Sequence, residues 1–214
     1  YFGTRPNGSY IPRFRNLGGQ DEDADFLRGY GFQANVLRMD WKMLYNRKGF
    51  GASLKDTLRK PGMWIWALKG FGECLPRSDN QIVLARDKPD RFGIPQVSIE
   101  FAWGANEQAM WQDINRHATR IMKAAGAVFY QGMVDKPNAI GGGAIHEMGT
   151  ARMGDDPSES VLNAYNQAHD VANLFVTDGA CMTSSSCVNP SLTYMALTAR
   201  ACDYATTQLA AGAI

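Results

Sequence analysis

The chain has 214 residues, 45% of them hydrophobic, which is enough for one large domain or two small ones with a substantial core and argues against wholesale disorder. Its 22 Lys and Arg nearly cancel its 21 Asp and Glu, which removes the electrostatic case for nucleic acid or an anionic membrane surface as a partner. No apolar run approaches the roughly 20 residues of a membrane helix, so no membrane span is expected.

The sequence opens at Tyr1, in "YFGTRPNGSY", rather than at Met. It reads as a fragment or a processed product, with any signal peptide outside it. "SYIPRFRN" and "RGYGFQANV" are rich in aromatics and bounded by Gly, Asn and Pro, as strands are. The acidic stretch between them, "GGQDEDADF", reads as a solvated loop. "PGMWIWALKGFGECLP" is strand-like and closed by Gly70, Gly72 and Pro76. "NQIVLARDKPDRFGIPQVSIEFAW" predicts two strands around a polar turn at Asp87 to Asp90, with a break at Gly93-Ile94-Pro95.

A helix is predicted from about Asn106 to Ala125, because Met110, Ile114, His117 and Ile121 recur at spacings of four, three and four. On that stripe His117 reads as a histidine at the edge of a core. "GAVFYQGMV" predicts a further strand. From Lys136 the composition shifts toward Gly, Ser and Asn, which places a domain crossing near residues 136 to 142. The tail contributes a strand, "NLFVTDG", and a closing helix from Pro190 with Leu192, Met195, Ala199, Cys202 and Leu209 on one face. These elements make an α+β fold, a mostly antiparallel sheet backed by helices, followed by a C-terminal strand–helix segment.

Asn189 is a favoured N-cap residue and Pro190 falls where the first helical residue needs no N–H, so the last helix is well specified. Its N-terminus carries partial positive charge and free N–H groups that suit an electron-rich oxygen. The alternative at this position is that Asn189 only caps the helix. "AIGGGAIHEMG" lacks the third glycine of a dinucleotide loop, His146 standing at that offset, and "TSSSCVNP" is not a nucleophile elbow. Cys74, Cys181, Cys187 and Cys202 form no C-x-x-C pair and read as buried free thiols, and no metal site is expected. His169 reads as a surface residue. Trp64, Trp66, Trp103 and Trp111 could stack on a sugar face, but core packing is the simpler role for each.

His146 in "HEMGTARMG", Asp178-Gly179 at the end of "NLFVTDG", and Asn189-Pro190 at the head of the last helix occur in one order. That order and spacing resembles the C-terminal part of the glucose–methanol–choline (GMC) oxidoreductases, which are FAD-dependent alcohol and sugar oxidases and dehydrogenases. The family's H-x-x-G-T-x-x-M-G run matches His146, Gly149, Thr150, Met153 and Gly154. The match is specific over residues 140 to 206, looser from 75 to 101 and faint before residue 60. "NPSLTYMALTARACDYA" looks most like the gluconate, fructose and glucoside dehydrogenases. The family's glycine loop for the ADP half of FAD is missing here.

The resemblance implies residues 1–140 as a substrate-binding region and 141–214 as the returning C-terminal segment of the FAD-binding domain. It implies oxidation of a CH–OH group of a sugar, sugar acid or glycoside by hydride transfer to flavin N5. His146 would be the base and Asn189 would orient the hydroxyl, while Asp178, Gly179, Asn189, Pro190 and Ser191 would lie at the flavin. It implies, as partners, the N-terminal FAD-binding half of the same protein and a cytochrome or iron–sulfur electron acceptor. Export to the periplasm rests on family analogy alone. The contrasting expectation is a non-catalytic carbohydrate-binding or scaffold domain that reuses the fold.

Overall fold

Tyr30, Phe32 and Ala34 alternate with Gly31, Gln33 and Asn35, and a period of two puts the two sets on opposite faces of a strand. The computed structural model, which describes residues 8–38, 49–60, 62–129 and 145–214, follows that pattern. Strand β2 (Tyr30–Arg38) lies between β1 (Gly8–Ile11) and β3 (Trp64–Gly72) in a three-stranded antiparallel sheet. Tyr30 and Phe32 are fully buried. Ahead of β3 runs a short helix, α1 (Gly51–Arg59), none of whose residues is buried and which hydrophobic periodicity did not announce.

Helix α2 (Ala105–Ala124) covers the apolar face of the sheet. As its spacing predicts, Met110 and Ile114 are buried with Tyr30 and Phe32, and Ile121 packs beside them. Glycine permits the close approach: a Cβ on Gly70 would lie 2.4 Å from Ile114 Cγ2, and one on Gly72 2.3 Å from Met110 Sδ.

Asp113 of α2, also buried, accepts from the Tyr30 hydroxyl at 2.7 Å and from Arg15 Nε at 2.9 Å. Arg15 pairs as well with Asp21 and Asp23, at 2.8 and 2.9 Å. The acidic stretch is therefore not a simple solvated loop. It folds around a buried guanidinium and sends Ala24 and Phe26 into the core. His117 takes its expected place at the core's edge, with Nδ1 2.9 Å from the Tyr30 hydroxyl.

The next segment is a hairpin of β4 (Gln81–Pro89) and β5 (Pro95–Glu100). Its turn falls slightly later than predicted, because the Asp90 carboxylate accepts from the N–H groups of Phe92 and Ile94 and Gly93 supplies φ +82°. Cross-strand pairs Ile82–Ile99 and Leu84–Val97 leave an apolar face about half exposed. The expected strand "GAVFYQGMV" does not form over 126–129. Gly126 at φ +78° stops α2, and the Ala127 N–H reaches back to Met122 O. Residues 130–134 and the expected domain crossing at 136–142 lie outside the described residues.

Residues 145–190 are mostly turns around a second core cluster of Leu162, Ala168 and Cys181. "NLFVTDG" yields only a bridge at Phe175 and a one-turn 3-10 helix at Gly179–Cys181. Its backbone bonds go to nearby turns instead, Ala168 N–H to Leu174 O and Val176 N–H to Asn166 O. Helix α3 (Ser191–Ala210) closes the chain. The face expected to gather its apolar residues turns outward: Leu192, Met195 and Leu209 are 79%, 63% and 66% exposed, and Cys202 is exposed too. Leu197 and Ala201 face inward, Tyr204 stacks on Tyr165 at 4.2 Å and Thr198 bonds Thr177 O. Apolar residues ring this helix, so contacts from other segments chose its rotation. The class is α+β with antiparallel sheets, as expected.

Candidate functional site

The run His146–Gly154 and the segment 178–183 are widely separated in sequence and lie side by side. Ala151 N–H bonds Ala180 O at 3.0 Å, and Met153 N–H bonds Cys181 O at 2.9 Å. Glycines line both sides of the contact. Gly149 has φ +87° and its Cβ would sit 3.1 Å from Thr183 O, while a Cβ on Gly179 would meet Met148 Sδ at 2.6 Å. The Asp178 carboxylate accepts from Ala180 N–H at 2.9 Å and so caps the short helix that Gly179 begins.

The two site residues expected to cooperate each neighbour residues that strand register puts on one face of the three-stranded sheet. Residues paired across antiparallel strands point the same way. Gly70 and Gly72 face α2, so Lys69 and Phe71 face the other side, together with Gln33 and Tyr10 through the pairs Lys69–Gln33 and Gln33–Tyr10. On that side the His146 ring packs against Phe71, with centroids 6.5 Å apart. Asn189 and Val188 close an open cleft of about 460 Å³ against Tyr10, Gln33 and Asn35. Gly31, the partner of Phe71, and Gln33 are two residues apart on β2, about 7 Å along the strand. The lining is rich in amide and phenol groups that can bond hydroxyls in either direction.

Asn189 does not cap α3. The N-cap residue is Pro190, at φ −89° and ψ 0°, and no side chain caps the helix. Pro190 O accepts from the N–H groups of Thr193 and Tyr194, so the helix winds from its backbone alone. Asn189 is exposed and lines the cleft. Ser191, at the first turn, shares a hydrogen bond with the Tyr194 hydroxyl at 2.9 Å.

Some site residues were not legible beforehand. Tyr10, Gln33 and Asn35 belong to segments expected as strands, and their polar side of the alternation was the available signal. Glu73 gave none, standing in "GFGECLP" as a strand end. Its carboxylate is 13% exposed, accepts from Ser184 Oγ at 2.6 Å and lies 3.6 Å from Arg28 Nε.

Other expected candidates have ordinary roles. His169 is half-buried rather than superficial, with Nε2 3.0 Å from Ser160 Oγ. Trp64 is half exposed with the Arg38 guanidinium over its ring, and Trp103 packs edge-on to Phe101. Cys181 and Cys187 are buried free thiols as expected, but Cys74 is only half-buried and Cys202 is exposed. Burial, then the nearby Glu107 carboxylate, pushes the Cys74 thiol up to about 11. Glycines 141 and 143, of the rejected nucleotide loop, lie outside the described residues.

Comparison with known proteins identifies the family. A family model described as GMC oxidoreductase matches residues 76–198. The 2-methyl-1,2-propanediol dehydrogenase of Mycolicibacterium austroafricanum is 36% identical over 86% of this chain and 34% of its own length. The fructose dehydrogenase large subunit of Gluconobacter japonicus is 30% identical over 91% of this chain and 35% of its own. Paromamine 6'-oxidase of Streptomyces fradiae is 30% identical over 56% of this chain and 22% of its own. The chain belongs to the GMC oxidoreductase family. It spans about a third of the length of the first two relatives.

Proposed function

We infer that this chain is the C-terminal portion of an FAD-dependent dehydrogenase that oxidises a CH–OH group of a sugar, sugar acid or polyol. The observation that carries the reading is that the His146 ring packs on Phe71 while Asn189 lines a cleft with Tyr10, Gln33 and Asn35, residues that strand alternation puts on the same face of the sheet as Phe71. Relatives named as acting on a diol and on fructose accord with it.

The residues present fit a flavin. The start of α3 has no side-chain cap, so its first N–H groups and the partial positive charge of the helix face outward beside Asn189. Asp178, Gly179, Pro190 and Ser191 would hold the ring's edge from this side. FAD, when bound, supplies the acceptor for the hydride, at N5 of its ring. His146 takes the hydroxyl proton, a task suited to an imidazole, whose ring nitrogen can accept one. Asn189 bonds the same hydroxyl and fixes its orientation. The exposed apolar residues Leu192, Met195 and Leu209 on α3 support a docking face for the N-terminal FAD-binding half of the same protein, which would carry the ADP portion. In this reading residues 1–140 form the substrate region and 141–214 return to the flavin domain. Electrons would leave to a cytochrome or iron–sulfur partner.

The test is anaerobic mixing of the full-length, FAD-loaded protein with a panel of sugars, sugar acids and polyols. Flavin bleaching by at least one of them is expected, slowed about 10²–10⁴-fold in His146→Ala, the range for loss of a general base. Sugar binding without bleaching would favour the carbohydrate-binding alternative.

A further inference from the structure

Glu73 follows directly on β3, two residues beyond the Phe71 that touches His146. Its carboxylate receives the Ser184 hydroxyl at 2.6 Å, across 111 residues of sequence. Ser184 sits in the loop that ends at Asn189. Within that loop Ser185 Oγ bonds Ser186 O, and the Val188 N–H bonds Ser186 Oγ, so those bonds stay local while that of Ser184 reaches the sheet. The backbone N–H of Glu73 bonds Gly29 O at 3.3 Å, which ties the acid to β2's leading edge.

The third member of the cluster is strained into place. Arg28 has φ +68°, a left-handed conformation that side chains other than glycine rarely adopt. Asn16 holds it there, its Nδ2 donating to Arg28 O at 2.7 Å and to Phe26 O at 2.9 Å. The guanidinium is thereby brought to 3.6 Å from Glu73. A nearly buried carboxylate holds its hydroxyl donor, because losing that bond leaves the acid short of a hydrogen bond it cannot replace from bulk water, while the half-exposed Arg28 adds a weaker attraction.

We propose that Glu73 is a positioning residue for the oxidation, holding the 183–189 loop against the sheet so that Asn189 stands over the same face as His146. The proposal rests on the functional reading above. A shift of about 1 Å in such a loop is enough to cost on the order of 10²-fold in rate.

The loop contact and its consequence are tested separately in the full-length, FAD-loaded protein. Glu73→Ala and Ser184→Ala should each raise hydrogen–deuterium exchange of the amides from 183 to 189, and the double variant should raise it no further. Unchanged exchange in Glu73→Ala overturns the proposal whether or not the protein turns over any substrate. Glu73→Ala should slow flavin reduction about 10- to 100-fold. Glu73→Gln, which keeps an oxygen for the Ser184 hydroxyl, should restore most of the lost rate and loop protection. In an Asn189→Ala background the removal of Glu73 should cost little more in reduction rate, although its effect on the melting temperature is the same. Equal rate losses in both backgrounds would make Glu73 simple structural support and overturn the proposal. If exchange responds as expected but wild-type flavin is reduced by no CH–OH substrate, the functional reading is at fault, and the role assigned to Glu73 in catalysis falls with it.

Discussion

Asn189 had two candidate jobs at the residue scale; the absence of a side-chain cap on α3 removes the first, and the second is the one proposed above. Removing a working N-cap costs about 1 kcal/mol, whereas an exposed residue without such a role usually changes stability by about 0.5 kcal/mol or less. Asn189→Ala should therefore unfold close to the wild type in chemical denaturation, while flavin reduction in the full-length protein falls. Asn189→Asp should lower both the reduction rate and the flavin potential, because it sets a negative charge where reduction adds one. Wild-type rates in that variant would take Asn189 out of the mechanism.

The thiols make a second test at this scale. Cys202 is exposed and should be alkylated first, with Cys181 and Cys187 protected until unfolding. Cys74 should react slowly until the pH nears about 11, as mass spectrometry of the labelled chain would show. Its folded pKa lies above the ordinary 9.0, so its stabilising contribution is complete below pH 9 and is lost as pH rises toward about 11. Cys74→Ala should flatten that part of the stability profile.

At the scale of elements, the sheet–helix contact is the tightest fit in the first core. A Cβ on Gly70 would press on branched Ile114, whereas one on Gly72 would meet the Met110 thioether, which can swing aside. Gly70→Ala should cost about 1–3 kcal/mol, the usual penalty of overpacking, and Gly72→Ala less. Urea titration of the two variants checks both the sign and the order. The contrast between α2 and α3 has the same origin. Helix α2 has one apolar stripe and its inner face could be read directly, but α3 carries apolar residues on several sides. Leu197 packing on the Leu162–Ala168–Cys181 cluster, buried Ala201, the Thr198 bond to Thr177 O and Tyr204 on Tyr165 mark the side that turned inward.

For the whole molecule, the two core clusters draw on residues 24–114 and 162–181, and the Glu73–Ser184 bond ties the first region to the loop that follows the second. The hairpin face of Ile82, Leu84, Val97 and Ile99 and the outer side of α3 remain open in this chain. The residues proposed for the flavin would reach only one end of that cofactor, and the glycine loop that would hold an ADP half is not in this sequence. The isolated chain should accordingly purify colourless and folded, binding FAD weakly or not at all. A yellow, stoichiometric complex in the absorbance spectrum would contradict this.

The sequence by itself determined the α+β class, the strands from Tyr30 to Glu100, the inner face of α2 and the order of His146, Asp178-Gly179 and Asn189-Pro190. Each of these is written in local periodicity, turn residues or contiguous motifs. Tertiary structure alone decided that Arg15 is buried among Asp21, Asp23 and Asp113, that α3 turns Leu192 and Met195 outward, and that Glu73 meets Ser184. Those outcomes depend on which distant surfaces meet, and pairwise contacts across a hundred residues leave no period in the chain that makes them.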